Sequence, residues 1–280
     1  MKIISTKAGL RCWIKEKQET KKGLVAFIPT MGALHDGHAS LIKKAAKDCD
    51  FVVISILVNP TQFGDSTDFI NYPNTLEEDA VIANEAGADL IFAPTAEEVY
   101  EGDPKADSKN WGALTNAFEG DFRPGHFDGV IAVVDRLFQI VDPDKAYFGE
   151  KDLQQIAVVR RVVDEGLYKA DIVSCEIIRD ENGLALSSRN SRLSKKGIKT
   201  ALLLSQALFQ ASTKINAGLS TEESLNEARK ILSDSTHVKL EYINGVNENT
   251  FSPSDSPASW THIIVAAEIE GVRLIDNSRL

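Results

Sequence analysis

Short apolar runs alternate with longer stretches of helical periodicity over the first 180 residues of the chain. The runs are rich in β-branched residues and have the length of buried strands, whereas the stretches between them place apolar residues every three to four positions. Predicted strands cover residues 24–30, 51–58, 88–94, 145–149 and 171–178. Predicted helices cover residues 38–49, 75–87, 129–141 and 153–166. This alternation favours the α/β class, with a parallel sheet and helices on its faces.

The pattern changes after about residue 180. Two helical stretches are followed by strand-like runs, and Glu270-Gly271 interrupts the last run as a hairpin turn does. The helical stretches are 195–217 and 220–234, the strand-like runs are 238–247 and 262–277, and the Ser-, Pro- and Asn-rich segment 247–260 is a predicted loop. We therefore expect two domains, a larger one over residues 1–180 and a smaller α+β domain over residues 181–280 that could close over a ligand.

The overall charge narrows the classes of partner. The 280 residues are 43% apolar and 26% charged, which is typical of a folded, soluble protein. A net charge of −10 would repel a nucleic-acid backbone over most of the surface, so nucleic acid is not an expected partner. A small anion such as ATP can still bind, because backbone amides and a few convergent cations create a favourable local field.

The cysteines and the N-terminal segment indicate an intracellular protein rather than a secreted or membrane protein. Cys12, Cys49 and Cys175 are odd in number and lack Cys-x-x-Cys spacing, so neither a disulfide framework nor a zinc site is expected. The N-terminus carries charges too early for a signal peptide, and no run approaches the roughly 18 apolar residues of a membrane span. We expect a cytoplasmic location.

The string PTMGALHDGH, at residues 29–38, holds the sharpest chemical signal, an H-x-G-H pair where the first predicted strand passes into a helix. At the carboxyl end of a strand in an open α/β sheet, such a loop faces the ligand crevice, and the helix N-terminus favours phosphate. Gly32 and Gly37 allow close approach to the backbone, and His35 and His38 can both donate to phosphoryl oxygens. Either histidine alone would more often be a helix cap or a packed polar group than a catalytic residue.

Three further segments follow predicted strands or turns. Gln62, in VNPTQFG (58–64), offers a neutral amide that suits a small hydroxy acid. Lys151 in AYFGEKDLQQ (146–155) is a mobile charge suited to nucleotide phosphates, and Gln155 follows on the first helical turn. Ser187, Ser188 and Arg189 could clamp the β- and γ-phosphates, although a capped linker would explain the serines.

Two other segments are given structural interpretations. The loop 120–129 is dense in Gly and Pro and could be a lid or a tight turn, and a structural role is favoured over direct chemistry for Arg123 and His126. The acidic run Glu77-Glu78-Asp79 follows Thr75 with helix-cap spacing, so it is interpreted as a capping group and not as a metal site. No protein metal site is expected, and Mg²⁺ would arrive on the nucleotide phosphates.

The strings PTMGALHDGH, VNPTQFG, RPGHFDGV, AYFGEKDLQQ and LALSSRN together resemble the pantothenate synthetase family, in its order and approximate spacing. H-x-G-H alone would fit a whole nucleotidyltransferase superfamily. The similarity runs from about Gly23 to Asn190, with a weaker but compatible C-terminal part. It implies a Rossmann-like parallel sheet of the H-x-G-H nucleotidyltransferase type, with the smaller α+β domain as a lid.

The resemblance also implies an activity and a set of site residues. The activity is the ATP-dependent ligation of pantoate to β-alanine through a pantoyl-adenylate, with release of AMP and pyrophosphate, by a homodimer. The implied catalytic residues are His38, His35, Lys151 and Arg189. The implied ATP-binding residues are Met31, Gly32, Ala33, Leu34, His35, Asp36, Gly37, His38, Gly149, Glu150, Lys151, Asp152, Ile178 through its backbone, Leu186, Ser187, Ser188 and Arg189. Gln62 and Gln155 would hold pantoate, with Gln62 also near β-alanine.

Departures from the family pattern are small, and two other functions remain open. Leu186 and Thr61 stand where Met is frequent, and Gln139 stands where Asn is frequent. Leu186 keeps the apolar volume, so activity is expected to be retained.

The alternatives are a nucleotidyltransferase that makes a dinucleotide or an activated alcohol, and a nucleotide-binding regulatory module without turnover. No residue is an evident general base for the β-alanine amine.

Overall fold

Six parallel strands form the larger sheet of the computed structural model, which describes residues 1–64, 69–70 and 72–280. The strands are β1 (Lys2–Ile4), β2 (Val25–Thr30), β3 (Phe51–Ile56), β4 (Leu90–Phe92), β5 (Lys145–Gly149) and β6 (Asp171–Cys175). Their order is β1-β4-β3-β2-β5-β6, and each neighbouring pair runs parallel. β2 and β3 bury consecutive residues because helices cover both faces of a parallel sheet, as the apolar runs predicted.

Helices of four residues or more connect these strands and continue into the C-terminal part. They are α1 (Lys7–Thr20), α2 (Asp36–Asp48), α3 (Leu76–Ala86), α4 (Ala96–Tyr100), α5 (Ala113–Asn116), α6 (Glu119–Phe122), α7 (His126–Val141), α8 (Leu153–Gly166), α9 (Lys195–Asn216) and α10 (Thr221–Ser233). The sequence pattern predicted α2, α3, α7, α8, α9 and α10 of this set. Within the described residues, none of the helices is both long enough and apolar enough to span a bilayer.

The first strand and the first helix were not predicted. β1 has three residues, fewer than an alternation pattern needs, and it pairs with β4 through Lys2 opposite Leu90. α1 buries only Leu10 and Trp13, so its apolar stripe is weak. Its start is set locally, since the Thr6 hydroxyl accepts the N–H of Gly9 at 3.2 Å.

The described residues form two compact units. The first contains residues 1–110, 123–150 and 158–176, and the second contains residues 111–122, 151–157 and 177–280. The second unit thus includes residues 111–122 and 151–157 besides the C-terminal segment, and the division into domains at residue 180 stays a prediction.

The second unit contains a three-stranded antiparallel sheet of β7 (Lys239–Val246), β8 (His262–Ile269) and β9 (Val272–Arg279). Leu204 and Leu208 of α9 share a buried cluster with Ile263 and Val265 of β8. The predicted hairpin is confirmed, with Glu270 at φ 53° and Gly271 at φ 75° between β8 and β9. Positive φ at both turn residues matches the twist of the strands. The predicted fold class, a parallel α/β sheet with a smaller α+β part, is confirmed.

Candidate functional site

The H-x-G-H segment forms the start of α2. His35 is the N-cap residue, and its Nδ1 accepts the N–H of Gly37 at 3.1 Å. The Nδ1 of His38 accepts the N–H of His35 at 3.3 Å, and the two ring centroids are 4.2 Å apart. Because an acceptor Nδ1 places the proton of a neutral imidazole on Nε2, both rings offer Nε2–H as a donor. The capping role and the phosphate-donor role are therefore compatible.

Asp79, on the first turn of α3, anchors the backbone just before His35. Its Oδ2 accepts the N–H of Ala33 at 3.0 Å and its Oδ1 accepts the N–H of Leu34 at 2.7 Å. The side chain is 1% exposed, and burial raises the pKa of the Asp79 carboxyl while the two amide bonds act in the opposite direction. Ala33 has φ 51°, so these bonds hold a backbone conformation that a residue other than glycine seldom adopts.

This contact corrects the capping interpretation for Asp79, whereas Glu77 and Glu78 lie in the first turn of α3 as expected. Thr75 precedes α3 but makes no capping hydrogen bond through its side chain to any described residue. Asp79 shares the buried face of α3 with Ala83 and Ala86. The spacing of Asp79 from these alanines by four and seven residues could have indicated its role from the sequence. An acidic side chain on the apolar face of a helix is buried, so it requires hydrogen-bond partners elsewhere in the fold.

Gln62 ends a 3₁₀ turn, Pro60–Gln62, that follows β3, and Asn59 orients its amide. The Nδ2 of Asn59 donates to Gln62 Oε1 at 3.0 Å and to the carbonyl of Gly129 at 3.1 Å. Tyr100 donates its hydroxyl to Asn59 Oδ1 at 2.9 Å, and Asn59 is 1% exposed. With its oxygen held, Gln62 presents its amide NH₂, which lies 3.1 Å from the sulfur of Met31. Sequence reasoning missed Asn59, because Asn-Pro by itself marks only a turn.

His126 and Gly129, at the start of α7, support the same turn. His126 accepts a hydrogen bond from Arg123 Nη1 through Nε2 at 3.0 Å, so its Nδ1 carries the proton and donates to the carbonyl of Gln62 at 3.0 Å. A Cβ on Gly129 would lie 2.3 Å from the carbonyl oxygen of Thr61. These contacts agree with a structural role for Arg123 and His126. The predicted loop 120–129 is wrong in part, since Glu119–Phe122 is helical and α7 begins at His126.

In the second unit, the candidate lysine lies on a 3₁₀ turn, Glu150–Asp152, that follows β5 directly. The carbonyl of Lys151 accepts the Nδ2–H of Asn277 at 3.3 Å. Two adjacent glutamines then begin α8 with different environments. Gln154 is buried and bonds the backbone of Leu114, Ala117 and Glu119. Gln155 is half-buried. Gln154 therefore has a structural role, whereas the Gln155 amide remains accessible.

The serine and arginine segment begins a second 3₁₀ turn, Ser188–Arg192. Ser187 is its N-cap residue, and its hydroxyl accepts the N–H of Arg189 at 3.3 Å. The preceding chain folds back on itself, because Leu186 donates its N–H to the carbonyl of Ile178 at 2.9 Å. Ser187 therefore caps the turn, as the alternative interpretation of the serines suggested.

The catalytic and substrate-binding candidates thus divide between the two units, with His35, His38 and Gln62 in the first and Lys151, Gln155 and Arg189 in the second. Within the first unit, the structure brings His35 beside His38 and Gln62 beside Met31. Among residues 1–64, 69–70 and 72–280, no group of three or more His, Cys, Asp or Glu is arranged to hold a metal ion.

Sequence comparisons match the chain over nearly its full length. A family model described as Pantoate-beta-alanine ligase matches residues 2–279. A pantothenate synthetase from Bacteroides thetaiotaomicron is 41% identical over 281 residues, which cover 99% of this chain and 98% of the relative. A pantothenate synthetase from Acinetobacter baumannii is 40% identical over 277 residues, which cover 99% of this chain and 97% of the relative.

Solved structures give the same result for the fold. The crystal structure of pantothenate synthetase from Thermus thermophilus is similar with a TM-score of 0.92 and 41% identity, over 100% of this chain and 99% of that one. A pantoate-beta-alanine ligase from Francisella tularensis, complexed with beta-gamma ATP and beta-alanine, has a TM-score of 0.81 and 34% identity. That likeness covers 100% of this chain and 97% of the Francisella tularensis chain.

Proposed function

This chain belongs to the pantoate–β-alanine ligase family, and we propose that His35 and His38 serve its ATP-dependent step. The chain is an enzyme that ligates pantoate and β-alanine to form pantothenate. The observation that supports the histidine assignment is the paired Nδ1 acceptance of backbone N–H groups at the start of α2. With Nδ1 as the acceptor, the proton of each neutral ring is on Nε2, and an Nε2–H group is a donor of the kind that a phosphoryl oxygen accepts.

In the first step, a carboxylate oxygen of pantoate attacks the α-phosphorus of MgATP, and the bond to the pyrophosphate oxygen breaks. The products are pantoyl-adenylate and pyrophosphate. His35 and His38 donate to the adenylyl oxygens, where negative charge develops during transfer. The N-terminus of α2 adds the positive end of the helix dipole to the same effect.

The phosphates that leave require cationic and hydroxyl groups. We assign this role to Lys151 and Arg189 together with the hydroxyls of Ser187 and Ser188, because guanidinium and ammonium groups neutralise charge on a departing pyrophosphate. Residues 149–152 and 186–189 and the backbone of Ile178 complete the proposed ATP contacts, with residues 31–38. Mg²⁺ enters as part of the substrate MgATP, held mainly by the phosphates.

Pantoate is assigned to the amides of Gln62 and Gln155. Asn59 holds the Gln62 oxygen, so the Gln62 NH₂ is the group that donates to a carboxylate or hydroxyl oxygen of pantoate. A neutral donor binds the carboxylate without neutralising the oxygen that must act as nucleophile. The substrate that is activated is thus a carboxylate, whereas the alternative nucleotidyltransferases would activate an alcohol.

In the second step, the β-alanine amine attacks the carbonyl carbon of pantoyl-adenylate, an amide bond forms and AMP leaves with the electrons of the broken C–O bond. The amine gives up a proton before or during attack. Water must be excluded, because the mixed anhydride would otherwise hydrolyse. Gln62 is assigned a place beside the amine as well as beside pantoate.

The decisive experiment separates the two steps. Purified enzyme is mixed with ATP, radiolabelled at its α-phosphate, and pantoate without β-alanine, and pyrophosphate and enzyme-bound adenylate are measured in a single turnover. We expect both products, followed by AMP and pantothenate when β-alanine is added. Pyrophosphate that forms only after β-alanine addition would contradict the two-step scheme. A dinucleotide product, or no turnover at all, would instead support one of the two alternative functions.

We also propose that the enzyme is a cytoplasmic homodimer in which residues 181–280 act as a lid domain. The support is the family resemblance and the charge and cysteine pattern of the sequence. Sedimentation equilibrium of the full chain tests the dimer, with a mass of 30.6 kDa expected for a monomer. Fractionation of the source cells tests the location.

A further inference from the structure

Two neighbouring polar residues of β9, Asp276 and Asn277, are buried at 5% and 4% exposure. A polar side chain is retained in such a place only when its hydrogen bonds are made, because an unmet donor or acceptor is costly. Both residues lie in the second unit, as do Lys151 and residues 186–189. Asn277 contacts Lys151 directly, and Asp276 contacts Arg179, which begins the hairpin that leads to residues 186–189.

Asp276 holds Arg179 through a bidentate ion pair. Arg179 donates from Nη1 to Asp276 Oδ2 at 2.7 Å and from Nη2 to Asp276 Oδ1 at 2.9 Å. The guanidinium also donates to the carbonyls of Gly183 and Asn277, each at 3.1 Å. A planar fork matched to a carboxylate fixes direction as well as distance, so the Arg179 side chain has one orientation.

Arg179 in turn fixes the hairpin that leads into Ser187. Its backbone bridges that of Ala185, and Leu186 donates to the carbonyl of Ile178 at 2.9 Å. The bond from Arg179 to Gly183 closes the tip of the same hairpin. The position at which the chain enters Ser187 therefore depends on the pair between Arg179 and Asp276.

Asn277 reaches the other segment. Its Nδ2 donates to the carbonyl of Lys151 at 3.3 Å, while its backbone N–H donates to Asp276 Oδ1 at 2.8 Å. Of these adjacent residues on one strand, Asn277 thus contacts Lys151, and Asp276 contacts the arginine of the hairpin that leads into Ser187. Asn277 bonds the main-chain carbonyl of Lys151. The bond therefore fixes the position of the Lys151 backbone, to which the lysine side chain is attached.

We propose that Asp276 and Asn277 are positioning residues. They hold Lys151 and residues 187–189 in the relative positions needed to bind the leaving pyrophosphate. The proposal rests on the phosphate roles assigned above. Neither residue contacts a reacting atom, so both act through Lys151 and Arg189. Since pyrophosphate leaves only in the first step, loss of this register slows adenylate formation and spares the reaction of pantoyl-adenylate with β-alanine.

The test compares Asn277→Asp with Ser278→Ala. Asn277→Asp keeps the shape of the side chain but turns an acceptor toward the Lys151 carbonyl. Ser278 is the next residue of β9, and its hydroxyl bonds Ser212 rather than a phosphate-binding segment, so Ser278→Ala is the matched control. The two half-reactions are measured separately, as pyrophosphate release in a single turnover and as pantothenate formation from supplied pantoyl-adenylate.

We expect Asn277→Asp to slow pyrophosphate release by about tenfold or more, the scale of one lost, misdirected hydrogen bond. Its second half-reaction and the KM for β-alanine should remain within about twofold of wild type. Ser278→Ala should match wild type in both steps. Equal slowing of both half-reactions by Asn277→Asp, or no slowing of the first, would overturn the proposal.

A second variant covers the case in which Asn277→Asp does not fold. Arg179→Lys keeps the charge beside Asp276 but loses the bidentate geometry, and the same selective slowing is expected. Active sites are counted by the burst of pyrophosphate, so a smaller folded fraction lowers the amplitude and not the rate. Wild-type enzyme that releases no pyrophosphate from ATP and pantoate would reject the proposed function itself, which distinguishes that failure from failure of the positioning role.

Discussion

The carboxylate of Asp79 accepts the backbone N–H of Leu34 at 2.7 Å, across 45 residues of sequence. Leu34 precedes His35, the N-cap of α2. A residue on another helix therefore fixes the backbone position from which α2 and its two proposed catalytic histidines begin. The second oxygen of the same carboxylate accepts the N–H of Ala33. Two acceptors on one rigid group define the path of this loop more strictly than either would alone.

Asp79→Asn should therefore reduce adenylate formation by about 10²-fold, because the amide turns a donor toward one of the two N–H groups and displaces the loop. Pyrophosphate release in a single turnover measures the effect. Glu77→Gln, an exposed change on the same helical turn, is the control and should retain wild-type activity. A fully active Asp79→Asn enzyme would show that the loop keeps its path without the carboxylate.

His38→Ala tests the charge-stabilising role directly. We expect adenylate formation to fall by about 10²- to 10³-fold while the Kd for ATP changes only a few-fold, because the charge on the adenylyl oxygens develops mainly in the transition state. Isothermal titration gives the affinity and rapid quench gives the rate. His237→Gln, at an exposed histidine, controls for loss of an imidazole. An unchanged single-turnover rate would remove His38 from the mechanism.

Gln62→Glu probes recognition of pantoate. The substitution keeps the side-chain size but places a negative charge where the NH₂ donates, so the KM for pantoate should rise by about tenfold or more through repulsion of its carboxylate. The KM for ATP should change less, since ATP is assigned to other residues. Gln18→Glu adds the same charge at an exposed position of α1 and is the matched control. A larger change in the ATP KM than in the pantoate KM would contradict the assignment.

The buried imidazole of His262 should make the free energy of unfolding depend on pH. It is 3% exposed, and burial lowers the pKa of its imidazole below the ordinary value of 6.5. Because the folded state holds this ring neutral, its contribution is constant above pH 6.5. As pH falls below 6.5 toward the folded-state pKa, the unfolded state binds the proton more readily and stability is lost.

The loss amounts to at most about 1.4 kcal/mol per pH unit. Urea unfolding at pH 7.5 and 5.5 measures it in wild type, His262→Gln and the exposed control His237→Gln. We expect His262→Gln to show the smallest loss of unfolding free energy between the two pH values. An equal loss in all three proteins would show that His262 does not set this dependence.

The sequence determined the elements whose signals are local. β5 and α8 lie at their predicted residues because apolar periodicity, glycine and charged breaks mark both of their ends. The parallel direction of the strands in the large sheet follows from strand–helix alternation, and the motif strings at strand ends indicated the ligase family and its candidate residues. β1 and α1 were missed because three residues and a two-residue apolar stripe give too weak a pattern.

Only the tertiary structure decided which polar residues support those candidates. Asp79 holds Leu34 across 45 residues, Asp276 holds Arg179 across 97, and Asn277 reaches Lys151 across 126. In the sequence each is an ordinary acid or amide. Their roles come from burial, since a polar group without water must find a partner in the fold, and that partner is chosen by how the chain packs rather than by neighbouring residues.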